Sequence, residues 1–213
     1  MADQEDLHDE PPEGSEKPAR KRPRPGERRL QILQTLANML EQPGGERVTT
    51  AALAARIGVS EAALYRHFAS KAQMFEGLID FVEQSCMGLI RQVTDREAAG
   101  PNQALRIVSL LLQFAEKNPG MCRVMTGDAL ILEHERLQQR VNLLMDKIEA
   151  QLRQSLRDGL AGDSPASVDL QVQASVTASV MQAFLLGRMQ RHVRSGFARK
   201  PTENLQECLA RLI

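Results

Sequence analysis

Residues 49–71 read TTAALAARIGVSEAALYRHFASK, and the fold follows from this stretch. Its apolar side chains fall four apart in two groups, Leu53 with Ile57 and Leu64 with Phe68. That spacing puts each group on one face of a helix. Between the groups lies Gly58-Val59-Ser60. Glycine enters the left-handed conformation that ends a helix. Serine caps the next one, its hydroxyl accepting from amides two or three residues on. Thr49 or Thr50 does the same for the first helix, and Ala54 and Ala55 leave room for a second helix to cross closely. Helix, tight turn, helix is the arrangement that lays a second helix in the major groove of DNA.

The outward face of that second helix suits the role. Ser60, Ala62 and Ala63 keep its leading end slim, and Tyr65, Arg66, His67 and Lys71 follow with donors for phosphate oxygens. With Thr49 and Thr50 they make up the candidate DNA-binding set. A helical hairpin inside an all-α core would instead use Tyr65 and Phe68 for packing alone. The run from Ala63 to Lys71, ALYRHFASK, resembles the end of the DNA-binding domain in TetR-family transcription regulators. In that family a tyrosine and a lysine grip the DNA backbone.

On the N-terminal side, Leu33, Leu36, Ala37 and Leu40 give Glu27–Glu41 one apolar face, and Pro43-Gly44-Gly45 ends the helix. Residues 27–72 therefore form a three-helix head. From Met1 to Arg29 the charge is segregated: seven acids (Asp3, Glu5, Asp6, Asp9, Glu10, Glu13, Glu16) precede seven bases (Lys17, Arg20, Lys21, Arg22, Arg24, Arg28, Arg29), with Glu27 alone among the bases. Residues 1–26 carry five prolines and no apolar run to bury, so disorder is expected. The basic block is either an arm along the minor groove or a solvated tail, and both readings stay open.

On the C-terminal side, three short helices cannot close a core alone. The expected support is a helix from Lys71 to about Val93, with Met74, Leu78, Phe81, Val82, Ser85 and Leu89 as its stripe. Such a helix ties the head to a body at 73–213. Asn102–Lys117 is apolar on most sides and belongs at the body's centre. A long helix is expected from about Asp128 to Arg157 on Leu137, Val141, Leu144, Ile148, Leu152 and Leu156, then a loop at Asp158–Ser167. Another follows from Val168 to about Arg194, carrying the small run Ala174–Ala183, and a last one starts at Pro201 with Leu205, Leu209 and Leu212. The two terminal helices, about 168–213, suit a two-fold four-helix interface between copies. Packing within one chain is the other reading.

Leu, Ala and Met dominate the apolar content and no long β-branched alternation occurs, so the fold class is all-α. The net charge is zero, so the basic block and not the total points to nucleic acid. Cys86, Cys122 and Cys208 lie too far apart for a metal motif, no apolar run reaches membrane-spanning length, and neither a cofactor nor a metal is expected. His8, His67, His134 and His192 are scattered, and HERLQQR after Glu133 lacks the second histidine of a helical zinc-protease motif. No phosphate-cradling glycine loop or nucleophile elbow occurs, which argues against an enzyme.

The resemblance extends into the body through residues 116–130, EKNPGMCRVMTGDAL, and 135–159, ERLQQRVNLLMDKIEAQLRQSLRDG. These pieces resemble the nucleoid occlusion branch of the TetR family. The resemblance implies a cytoplasmic, nucleoid-associated homodimer on palindromic chromosomal sites. In that state it would bind the tubulin-like division protein FtsZ and block ring assembly over DNA. It places Thr49, Ser60, Ala62, Tyr65, His67 and Lys71 at the DNA, and Phe81, Leu110, Lys117 and Asn118 at FtsZ. Leu89 and Gln113 depart from the expected arginine and glycine, and Arg91 is the candidate replacement for that arginine. Core packing is the other reading of Phe81 and Leu110. The alternative function is a ligand-responsive TetR-type repressor. Its pocket would want aromatic lining, and the body offers only Phe75, Phe81, Phe114, Phe184 and Phe197.

Overall fold

The computed structural model describes residues 26–42, 47–161 and 168–212. The expected arm, the Pro43–Gly45 break and most of the loop before Ser167 lie outside them. Among the described residues the chain forms nine α-helices and one 3-10 turn, with no strand. The head holds α1 (Glu27–Leu40), α2 (Thr50–Ile57) and α3 (Glu61–Tyr65). The body holds α4 (Lys71–Thr94), α5 (Pro101–Lys117), α6 (Pro119–Met125), a 3-10 turn at Asp128–Leu130, α7 (Glu135–Ala161), α8 (Val168–Arg194) and α9 (Leu205–Leu209).

Two apolar clusters hold the chain together. Helix α5 lies in the middle of the body cluster, where Ile107, Val108, Leu111 and Leu112 meet Ile148 and Leu152 of α7 and Met181 and Leu185 of α8. The head cluster packs Ile32, Leu36, Leu53, Leu64 and Phe68 against Met74, Phe75, Leu78 and Ile79 of α4. It continues into Val124 of α6, Leu130 of the 3-10 turn, and Leu137 and Val141 of α7. Support for the three short helices thus comes from α4 and from three further body elements.

Three expectations need correction. In α4 the buried stripe runs through Leu78, Val82, Cys86, Ile90 and Val93, whereas Phe81 is exposed and Ser85 and Leu89 are only half-buried. Its steps are four, four, four and then three, which keeps it close to one face of a 3.6-residue turn. The partners α5 and α7 flank α4 and select which stripe goes inward.

The long helix does not begin at Asp128. After the 3-10 turn the chain turns at 131–134, and α7 starts at Glu135. His134 caps it, its Nδ1 accepting from the Arg136 amide at 3.2 Å. At the other end α7 runs on to Ala161, past the Asp158 at which a loop is expected.

The last helix is only Leu205–Leu209, and Leu205 and Leu209 are buried in their own chain. Asn204 has φ 49°, so the chain turns just before it. Arg188 of α8 fastens this segment by donating to the carbonyls of Pro201, at 2.8 Å, and Glu203. Thr202 bonds Glu116 of α5. Of the two terminal helices, only α8 leaves an apolar stripe outside: Val168, Val172, Val176 and Val180, four apart and each about half-exposed or more.

Head and body approach closely at Gly120. A Cβ built there would lie 2.0 Å from the Ala37 carbonyl oxygen of α1. Only glycine lets α6 approach α1 this far. The Gly120 amide donates to the Glu41 carboxylate, whose pKa is nonetheless raised, chiefly by burial. Beside it, Arg123 of α6 donates to the Leu40 carbonyl at 3.2 Å and to Asp128 at 2.7 Å.

Candidate nucleic-acid interface

The helix-turn-helix forms by the local chemistry of its sequence. Thr49 caps α2, accepting from the Ala52 amide at 3.1 Å. Gly58 closes α2 in the left-handed conformation, φ 77°. Ser60 then caps α3, accepting from the Ala63 amide at 3.2 Å. Losing such a cap costs about 1 kcal/mol. Thr50 bridges the two helices: its hydroxyl donates to Glu61 Oε2 at 2.6 Å. That bond ties Thr50 to α3, so its hydroxyl is committed internally.

Helix α3 is short. It ends at Tyr65, and Phe68, although fully buried, lies in the turn beyond it. Ser60, Ala62, Tyr65, Arg66 and His67 are exposed together with Thr49, while Ala63 is half-covered. The small leading residues and the donors that follow therefore share the open side of the head. Arg29 of α1 holds the exit from α3: it donates to the His67 carbonyl at 3.0 Å and lies 4.1 Å over the Phe68 ring. That bond and cation–π contact fix the turn carrying Arg66 and His67.

Lys71 is placed otherwise than expected. It opens α4 just after the Ser70 cap, but its ammonium pairs with Glu133 of the body and lies 5.6 Å from the Phe75 ring. Arg29 enters the sequence reading only as part of the basic block, and Glu133 is not evident there as part of this interface. Glu133 is 62 residues from Lys71, beyond any local pattern.

Two family models match the chain. Residues 32–78 match the tetR family of bacterial regulatory proteins, and residues 102–212 match a tetracyclin repressor-like C-terminal domain, SlmA-like. A nucleoid occlusion factor SlmA from Photobacterium profundum is 50% identical over 178 residues, 83% of this chain and 89% of that protein. The chain belongs to the SlmA branch of the TetR family. A second SlmA, from Vibrio vulnificus, is 47% identical over 87% of this chain and 93% of its own length. Among solved structures, the fatty acid degradation regulator FadR of Bacillus halodurans superposes with a TM-score of 0.72 over 88% of this chain and 95% of that chain. At 14% identity it supports the TetR fold alone.

The residues assigned to the partner surface divide between two flanks of α4. On α5, Leu110, Gln113 and Lys117 step by three and four along one stripe, Leu110 half-buried and Lys117 exposed. Phe81 of α4 is partly exposed, and α4 packs on α5. Asn118 is spent on capping, its amide donating to the Phe114 carbonyl at 2.8 Å. Arg91 lines a cleft of about 520 Å³ with Asp80, Glu83, Met87 and Arg140 of α4 and α7. Two residues of helix turn about 200°, so Arg91 emerges on the flank away from Leu89.

Proposed function

We propose that the chain is a DNA-bound nucleoid occlusion factor: a homodimer that reads a palindromic chromosomal site and inhibits FtsZ ring assembly there. The observation that carries this reading is similarity to SlmA proteins through both head and body, at close to half identity. A shared head alone would support DNA binding and no more. Pairing of copies has its own support. The valine stripe on α8 runs beside exposed Ser179, Ala183 and Gly187, small residues that let a second α8 approach closely. A head this small gains specificity by reading two half-sites.

In this reading Thr49, Ser60, Ala62, Tyr65, Arg66, His67 and Lys71 face the DNA, and Phe81, Leu110 and Lys117 face FtsZ. No step is enzymatic, and the place of action is the nucleoid. Among the described residues no helix is long and apolar enough to cross a membrane. The ligand-sensing alternative fits less well, because the α4–α7 cleft is lined largely by charged groups rather than by aromatics.

Sedimentation of FtsZ polymers with and without a duplex carrying the bound site tests the proposal. Loss of polymer is expected only with the duplex present. Lys117→Glu should keep DNA affinity and relieve the inhibition. Inhibition of equal strength without DNA, or with Lys117→Glu, counts against the reading.

A further inference from the structure

Glu133 stands in the turn before α7 with its side chain only 8% exposed. Its Oε1 accepts from Lys71 Nζ and, at 3.3 Å, from Arg47 Nε. Arg47 also donates to the Leu132 carbonyl at 3.1 Å. Arg47 lies two residues before the Thr49 cap, and Lys71 lies one residue after the Ser70 cap. The cations that bracket the reading helices therefore converge on a single carboxylate supplied by the body.

That carboxylate presents to both cations what a phosphodiester presents: one negative charge carried on oxygen acceptors. Lys71 is only 21% exposed while it is held there. An ammonium carries one charge, and a second anion brought to the same site must share it or displace the first. Arg47, with 58% of its side chain exposed, is held from one side and open on the other.

We propose that Glu133 is an internal competitor for DNA phosphate. It occupies Lys71 and Arg47 in the free protein and yields them to the duplex backbone, which sets DNA affinity below what the head alone would give. The inference rests on the reading in which Lys71 contacts phosphate. Because phosphate contacts carry no sequence information, the effect is the same on every duplex.

The test is anisotropy titration of the full chain with a mixed-sequence duplex at several salt concentrations, each variant's melting being checked first. Glu133→Gln should bind about three- to fivefold tighter, the scale of a partly exposed ion pair. Glu133→Ala answers the same question should glutamine disturb the turn. Glu135→Gln controls for total charge, since Glu135 accepts from Gln139 instead, and it should leave affinity unchanged. In an Arg47→Ala/Lys71→Ala background the gain from Glu133→Gln should vanish. Unchanged or weaker binding by Glu133→Gln, or an equal gain from Glu135→Gln, overturns the proposal. Lys71→Ala with full affinity overturns it by a separate route, because the phosphate reading itself then fails.

Discussion

The two apolar clusters differ in where their residues come from. The body cluster is closed by α4 through α9 on their own. The head cluster is not: Val124, Leu130, Leu137 and Val141 reach it from three body elements, and Met121 packs against both clusters. Three short helices leave too little surface to bury among themselves. The body has therefore become part of the floor on which the reading helices stand. The same joint carries the Glu41, Arg123 and Glu133 contacts. Helix α6 and the turn before α7 thus touch α1 and both ends of the reading unit.

Gly120→Ala strikes that joint hardest. The added Cβ meets backbone, which cannot rotate away as a side chain would, so the cost should be on the order of 3 kcal/mol. For a chain of this size the melting midpoint then falls by roughly 6–12 °C. Calorimetry should record one transition for both regions. A lowered head transition beside an unshifted body transition would break the claim that they share a core.

Val176→Glu tests the opposite face. Val176 touches neither cluster, so helicity should persist while two like charges oppose each other across the α8 pair. Palindrome affinity should fall on the order of a hundredfold, with monomers in sedimentation velocity. Wild-type dimers from the variant would move the interface elsewhere. Lys71→Ala should act more gently, weakening every duplex alike and lowering the slope of log affinity against log salt by about 0.9. A loss confined to one sequence would contradict a phosphate contact.

The head was legible because its determinants are local. Thr49, Gly58 and Ser60 cap helices through bonds to residues within four positions of themselves, and the sequence displays both partners. The inward face of α4 was legible only in part: Met74, Leu78 and Val82 are buried as expected, but spacings of three and four also fit Phe81, Ser85 and Leu89 until α5 and α7 take their sides. The start of α7 was hidden because histidine is an unusual cap. Nothing local in α9 reveals that Arg188 fastens the segment before it. The tie between Glu133 and Lys71 had no signal at all, as loop closure over 62 residues leaves no periodicity.

The thiols offer the mildest comparison of the two regions. The described head has no cysteine, whereas Cys86 and Cys122 lie in the body cluster, each pushed up to about 12 by burial. Cys208 is half-exposed. At pH 8 a disulfide reagent should modify Cys208 quickly and the other two only as the body opens. Because the two regions open together, a cavity in the head cluster such as Leu53→Ala should quicken labelling of Cys86 and Cys122 alike. The pH dependence has a fixed sign. Both thiols hold their protons more tightly when folded, so well below pH 9 neither state ionises and they contribute nothing. From pH 9 toward 12 the unfolded chain loses protons that the folded chain keeps, and stability falls. By pH 10 the loss is about 1 kcal/mol for each thiol. Replacing Cys86 and Cys122 by alanine should flatten that alkaline limb, and an unaltered limb would mean that these thiols are not dry in the folded chain.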